Sequence, residues 1–252
     1  MLSVDEKRKL YQAAELIKNS SHTTAFTGAG ISVESGVPPF RGENGLWNKI
    51  NPVFLDINFF NKYPKKSWQF IKDIFYDSFG KAKPNDAHYA LADLEKMGLL
   101  DVVVTQNIDN LHQQAGSKNV IEFHGTSQRL VCMNCGRQFK MREELIGVLP
   151  PKCDNCAGLL KPDFVFFGEP IPEEANSRSF REAEIADVFI LIGTTGEIQP
   201  ASMIPIHAKN YDAKIIEINI ENSNYTNSIT DIFLNGKATK EMRNLLSILN
   251  DS

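Results

Sequence analysis

Five short runs of β-branched and apolar residues recur along the 252-residue chain, and each ends in glycine or polar residues. They are "HTTAFTGAGIS" (22–32), "DVVVTQN" (101–107), "NVIEFHG" (119–125), "DVFILIGTT" (187–195) and "KIIEINIE" (214–221). Stretches so apolar and so short predict strands buried on both faces. Segments with helical spacing lie between them. "NDAHYALADLEKMG" (85–98) begins after Pro84 and stops at Gly98; "EEANSRSFREAEIA" (173–186), "SMIPIHAKNY" (202–211) and "KEMRNLLSILN" (240–250) read the same way. At the N-terminus, Val4, Leu10, Ala13, Ala14 and Ile17 fall on one face of an amphipathic helix, with charges where a signal peptide would be apolar. Strands alternating with helices predict an α/β fold with a mostly parallel sheet covered on both faces. Ligands of such sheets bind outside the carboxyl ends of the strands, where the polar residues of these runs fall.

Two segments break the alternation. Residues 37–79 are rich in Pro, Phe, Trp and Asn, and include the helical stretch "KKSWQFIKDIFYDSF" (65–79). Residues 128–160 hold all four cysteines, as "CMNC" (Cys132, Cys135) and "CDNC" (Cys153, Cys156), with seventeen residues between the pairs. Two disulfides would suit a secreted chain, whereas paired Cys-x-x-Cys turns aim two thiolates each at one point and predict a tetrahedral zinc site. Four thiolates leave no open position, so the expected role is structural. Both segments read as insertions that form a smaller module: 37–79 a cofactor loop and helical insertion, 128–160 a zinc-binding module. The main domain is then 1–36, 80–127 and 161–252.

An apolar content of 42% and a charged content of 23% are ordinary for a globular chain. The formal charge of -4 argues against sequence-independent binding to nucleic acid, and no sequence-specific binding is expected. No stretch reaches membrane-spanning length, and the expected location is the cytoplasm.

"TGAGIS" (27–32) suggests a phosphate cradle at a strand-to-helix turn, although Val33 stands where a dinucleotide fingerprint has its third glycine. An unliganded tight turn is the simpler alternative. Phe40 beside Arg41, in a long loop, is able to close over a planar ring and a phosphate. Gln106, Asn107, Asp109 and His124 converge at strand ends; Asn and Asp suit ribose hydroxyls or a carboxamide, and His suits a base near neutral pH. His22, His88 and His207 read as structural residues without polar company, and His112 also reads as structural.

Taken together, "GAGISVESGVPPFRG" (28–42), "TQNID" (105–109), "HG" (124–125), the two cysteine pairs, "KPDFVFFGE" (161–169) and "INIE" (218–221) resemble the sirtuin (Sir2) family of NAD-dependent protein deacylases. The resemblance spans nearly the whole chain. It implies a Rossmann-like NAD-binding domain with a small zinc module. It also implies that Gly28, Ala29, Gly30, Val33, Phe40 and Arg41 contact NAD, that Gln106, Ile108 and Asp109 line the ribose and nicotinamide pocket, and that Thr194, Thr195, Asn219, Lys237 and Ala238 hold the adenosine side. His124 would be the general base, supported by Asn107 and Asp109. Val165, Phe166, Phe167, Gly168 and Glu169 would offer a strand edge to an acyl-lysine peptide, with Glu197 nearby.

The reaction implied by that resemblance consumes NAD. The acyl oxygen displaces nicotinamide at the ribose, His124 activates a ribose hydroxyl, and free lysine and O-acyl-ADP-ribose result. Two departures stand out: "GTTGEIQP" (193–200) puts Gly196 and Glu197 where relatives often carry aliphatic residues, and "PPF" stiffens the loop bearing Phe40. No Tyr-x-x-Arg pair is present in "SWQFIKDIFYDSF" (67–79), which disfavours succinyl or malonyl substrates. The alternatives are an ADP-ribosyltransferase or NAD glycohydrolase using the same pocket, or a non-catalytic NAD-binding module. A monomer is favoured.

Overall fold

The computed structural model describes residues 2–39 and 45–250. Nine α-helices occur among these residues: α1 Val4–Lys18, α2 Leu46–Lys49, α3 Ile57–Lys62, α4 Pro64–Ile71, α5 Asp86–Lys96, α6 Leu111–Ala115, α7 Glu173–Ile185, α8 Met203–Asn210 and α9 Ala238–Asn250. The strands are β1 Thr23–Thr27, β2 Val102–Thr105, β3 Val120–Glu122, β4 Gly125–Cys132, β5 Gln138–Lys140, β6 Leu160–Phe164, β7 Val188–Ile192, β8 Lys214–Asn219 and β9 Ile232–Asn235. Six of them form one parallel sheet in the order β3-β2-β1-β7-β8-β9, and β5-β4-β6 form a second, antiparallel sheet. The expected five-run alternation is therefore correct as far as it goes. β9 extends the sheet by a strand that its single buried residue, Leu234, did not advertise.

Side chains alternate across the main sheet because successive residues of a strand face opposite ways. Ala25, Val103, Ile190 and Ile216 face Leu10 and Ile17 of α1, Leu91 and Leu94 of α5, and Met242 and Leu245 of α9. Phe26, Val104, Phe189, Leu191 and Ile215 face Ala183 of α7 and Ile204 and Ala208 of α8. Helix ends follow local rules. Ser3 and Glu6 form a reciprocal capping box on α1, Asn85 caps α5, and Gly98 takes a left-handed conformation (φ 72°) just past its end.

The two insertions share one core. Phe60 of α3, Trp68 and Ile71 of α4 and Phe75 pack against Leu130 of β4 and Leu160 and Phe164 of β6. The Trp68 indole N–H donates to the Leu160 carbonyl at 2.8 Å. The antiparallel sheet reaches past the boundaries expected from composition: β4 begins at Gly125 and β6 ends at Phe164, so residues of the main-domain segments complete the small sheet.

The two halves of the main sheet diverge between β1 and β7, and there the backbone closes tightly. Gly28 N–H donates to Ile192 O at 3.0 Å and Gly30 N–H to Gly193 O at 2.9 Å. A Cβ on Gly193 would lie 2.5 Å from Gly30 C and Ile31 N, and φ there is +61°. Gly98 is also left-handed, but a Cβ added there would meet nothing within 4 Å. Gly98→Ala is expected to cost about 1 kcal/mol from conformation alone. Gly193→Ala adds a backbone collision and is expected to cost roughly 3–5 kcal/mol. Urea unfolding of the two variants checks the contrast, and equal losses would contradict it.

Candidate functional site

A cleft of about 1180 Å³ opens over the carboxyl ends of the strands, at the divergence of β1 and β7. One wall is the turn Gly28, Ala29, Gly30 with Val33 and Glu34, and the floor is Gln106, Asn107 and Ile108. Thr194, Thr195, Asn219, Lys237 and Ala238 line the far end, while Val165, Phe166, Phe167, Gly168 and Glu169 line the side facing the small module, near Glu197. Every described residue expected at the site therefore meets in one cavity, except Asp109. Phe40 and Arg41 lie outside the described residues. The helix expected after the glycine turn is present as a 3-10 helix, Ala29–Ser35.

His124 stands at the loop between β3 and β4, half-buried, and lines the cleft. Its Nδ1 is 3.0 Å from the Gln106 carbonyl oxygen, which can only accept, so Nδ1 carries the proton and Nε2 holds the lone pair. Burial lowers the pKa of this imidazole, and the Gln106 carbonyl pulls it back up. A neutral ring is thus ready to take a proton at Nε2. Gln106 is itself held by its side-chain amide donating to Thr194 Oγ1 at 3.1 Å, and the Asn219 amide donates to Thr194 O at 3.0 Å.

Asp109 sits beneath the cleft in a small adjoining pocket, beside Ser32 and Asn107. Ser32 Oγ–H donates to Asp109 Oδ2 at 2.7 Å, and the Asn107 amide donates to Ser32 Oγ at 3.2 Å and to Gly28 O at 3.1 Å. Burial raises the Asp109 carboxyl's pKa, against the Leu111 N–H and the Ser32 hydroxyl. Asp109 is therefore linked to the lining of the cleft through Ser32 and Asn107. Ser32 joins the network through a hydroxyl that had no distinguishing signal beyond its place in "GAGIS".

The remaining histidines divide in two. His88 and His112 are buried with ring centroids 4.9 Å apart, His88 Nε2 3.4 Å from Ser32 Oγ and His112 Nε2 2.9 Å from Thr27 Oγ1. Burial pulls His88 down to about 4. His22, His88 and His207 all have polar company, contrary to the sequence reading: the Asn85 N–H donates to His88 Nδ1 at 3.3 Å, His22 Nε2 lies 2.7 Å from a Glu182 carboxylate oxygen and His207 Nε2 3.0 Å from one of Glu184. Those carboxylates come from α7, more than twenty residues away in sequence, where local pattern gives no warning.

Cys132, Cys135, Cys153 and Cys156 are unbridged, and their four Sγ atoms lie within 4.8 Å of one another. Both turns have the same backbone: Gly136 N–H donates to Cys132 O and Ala157 N–H to Cys153 O, each at 2.9 Å, with Gly136 and Ala157 left-handed. The contacts Cys132–Cys156 at 3.5 Å and Cys135–Cys153 at 3.8 Å match the edge of about 3.8 Å that four zinc–sulfur bonds of about 2.3 Å require. Hydrogen bonds from the Asn134 side chain and the Gly158 backbone lower the pKa of the Cys156 thiol, while the neighbouring thiols Cys156 and Cys132 raise that of Cys135. The residues fit a structural zinc ion.

A profile of the Sir2 family matches residues 28–200, which covers the glycine turn, the His124 loop, all four cysteines and the 165–169 edge. The chain belongs to the Sir2 family. Among its relatives, the NAD-dependent protein deacylase of Pyrococcus abyssi is 45% identical, over 91% of this chain and 93% of its own. The NAD-dependent protein deacetylase 1 of Pyrobaculum aerophilum is 42% identical over 96% and 95%. Among solved structures, a Sir2 homolog–NAD complex superposes with a TM-score of 0.88 at 39% identity, covering 96% of this chain and 94% of that one. A Sir2–p53 peptide–NAD+ structure gives 0.88 at 33% identity, covering 96% and 99%.

Two measurements follow from this Sir2 site. Metal analysis of protein purified without chelator should find one zinc per chain, and Cys153→Ser should lose it and lower the melting temperature. Zinc-free wild-type protein would refute the assignment. The His88 imidazole binds its proton less tightly folded than unfolded, near 4 against 6.5. Its neutral form therefore supports the fold fully above pH 6.5, and that support is lost as pH falls towards 4. Between pH 6.5 and 5 the wild type should lose stability more steeply than His88→Asn, by up to about 1.4 kcal/mol per pH unit. Parallel urea-midpoint slopes would contradict this.

Proposed function

We propose that this Sir2 family member is an NAD-dependent protein-lysine deacylase that releases free lysine, nicotinamide and O-acyl-ADP-ribose. The observation that carries the reading is His124: a neutral imidazole with Nδ1 tied to the Gln106 carbonyl and Nε2 facing the cleft, beside the irregular 165–169 stretch that follows β6. A module that only bound NAD would need no base there.

In this reading Gly28, Ala29 and Gly30 receive the pyrophosphate, with Val33 beside them, and Phe40 and Arg41 are assigned on the resemblance alone. Thr194, Thr195, Asn219, Lys237 and Ala238 take the adenosine end. Gln106, Asn107 and Ile108 take the nicotinamide ribose, with Asp109 holding Asn107 in place through Ser32. The acyl oxygen of the peptide displaces nicotinamide from the ribose. His124 Nε2 then accepts the proton of a ribose hydroxyl so that this oxygen attacks the acyl carbon. The carbon–nitrogen bond breaks as lysine leaves as its amine with a proton, and one water then adds at the acyl carbon to release O-acyl-ADP-ribose. Phe167, with its ring 5.9 Å from Trp47, and Phe166 form an apolar wall that keeps water from the reacting carbon. Val165 to Glu169 pair with the peptide backbone. The peptide partner, a cytoplasmic location and the acyl preference for neutral groups belong to the same proposal. No helix among the described residues is long and apolar enough to cross a membrane.

The test is a single incubation of pure protein with NAD and an acetyl-lysine peptide. Deacylated peptide and nicotinamide in equal amounts support the reading. Nicotinamide without deacylated peptide favours the glycohydrolase or ADP-ribosyltransferase reading, and neither product favours a binding module. His124→Ala should lower kcat by on the order of a hundredfold or more, while zinc content and melting temperature stay near wild type. A stable His124→Ala protein with near wild-type kcat would remove the histidine from the mechanism.

A further inference from the structure

Lys161 is a buried lysine on β6 that lines neither cavity and that none of the chemistry above uses. A lysine ammonium has three N–H donors, and this one has three acceptors: Pro162 O at 2.9 Å, Phe164 O at 2.7 Å and Glu169 Oε2 at 2.9 Å. It also lies 4.2 Å from the centroid of the Phe166 ring. Burial lowers its pKa and Glu169 pulls the value back up. The carboxylate at the other end serves twice, since Glu169 Oε2 also accepts the Phe166 N–H at 2.8 Å.

The segment gathered by these contacts is the strand edge beside His124. Val165 N–H donates to His124 O at 2.9 Å, Phe167 N–H to Leu55 O at 2.9 Å, and Phe167 O accepts Ile57 N–H at 3.0 Å. Gly168 turns the chain with φ +88° and Glu169 N–H closes back on Phe166 O at 3.0 Å. Residues 165–169 are thus an irregular stretch held from the sides by backbone bonds to His124, Leu55 and Ile57 and anchored by the Lys161 ammonium and the Glu169 carboxylate. We propose that Lys161 is a positioning residue of the acyl-peptide site, its ammonium clamping Phe164 and Glu169 so that the 165–168 edge is held in register with His124. This rests on the deacylase reading for its substrate. With all three donors spent on the protein, Lys161 has none for the peptide and acts through the backbone it holds.

Removing the ammonium strands a half-buried carboxylate and two carbonyl oxygens, so the edge must rearrange to reach water. An edge that must be ordered on binding weakens substrate binding before and during the reaction alike, which appears in KM more than in kcat. Lys161→Met, close in length and uncharged, should raise KM for an acetyl-lysine peptide about tenfold while KM for NAD stays within about twofold. Lys161→Arg, which keeps the charge, should recover part of the loss. Glu169→Gln keeps the shape and serves if Lys161→Met does not fold; it should raise peptide KM in the same selective way.

Hydrogen exchange without any substrate gives the second readout: amides 164–169 should lose protection in Lys161→Met while the main sheet keeps it. Unchanged peptide KM, or KM values for peptide and NAD rising together with loss of zinc and melting temperature, overturns the proposal. Wild-type protein inert towards the peptide sinks the deacylase reading, whereas unchanged exchange at 164–169 sinks the clamp whatever the activity.

Discussion

The backbone contact between Gly30 and Gly193 is the constraint on which the rest of this molecule depends. Strands β1 and β7 are neighbours, yet the chain leaving each turns to opposite sides, and the two exits must pass within van der Waals range. Gly30 N–H bonds to Gly193 O, and a side chain on either residue would occupy the other's backbone. The contact keeps the strand ends close-packed below and open above, and the opening is the cleft. It also fixes the N–H groups of the turn and the Thr194 hydroxyl, which orients Gln106, which in turn sets the His124 tautomer. A backbone approach is thus connected to His124 Nδ1, opposite the nitrogen that faces the cleft, by way of Thr194 and Gln106.

Beneath the cleft the polar groups are buried and must find each other. Thr27, Thr105, Ser32, Asn107, Asp109, His88 and His112 form a nearly closed set of donors and acceptors under the floor. In such surroundings an unpaired polar group costs more than a bond gains, so the bonded members favour a single arrangement, with His112 Nδ1 alone among their ring nitrogens left without a partner. The same burial that keeps His88 and His112 neutral acts on His124, but only His124 presents its second nitrogen to the cleft. Three histidines with lowered pKa values therefore have two roles, and access to the cavity separates them.

The insertions solve a different problem. Residues 45–79 and 128–160 are too small to bury separate cores, and they merge into one around Trp68, Phe75 and Phe164, with the cysteine cluster at its end. β6 leaves that core at Phe164 and runs on into the irregular 165–169 stretch, so the cysteine-bearing insertion and that wall of the cleft are one continuous piece of chain. Lys161 and Glu169 sit where the regular sheet stops and its ladder no longer dictates the path.

Much of this was written in short stretches of sequence. Apolar runs ending in polar residues specified five parallel strands; Ser3, Asn85 and Gly98 specified helix ends; two Cys-x-x-Cys turns specified a four-thiolate cluster. Each signal works over a few residues, because periodicity, capping and turn chemistry are local. Motifs in family order were enough to bring His124, Asn107, the glycine turn and the 165–169 edge to one site. Tertiary structure alone decided which partners those residues take. Asp109 lies under the cleft and not in it because Ser32, 77 positions earlier in the chain, receives its carboxylate. His22 and His207 acquire carboxylates from α7, β9 joins the sheet through its neighbour β8, and Lys161 meets the Glu169 carboxylate only once the chain turns at Gly168. Buried polar groups choose partners by proximity after packing, and packing is a property of the whole chain.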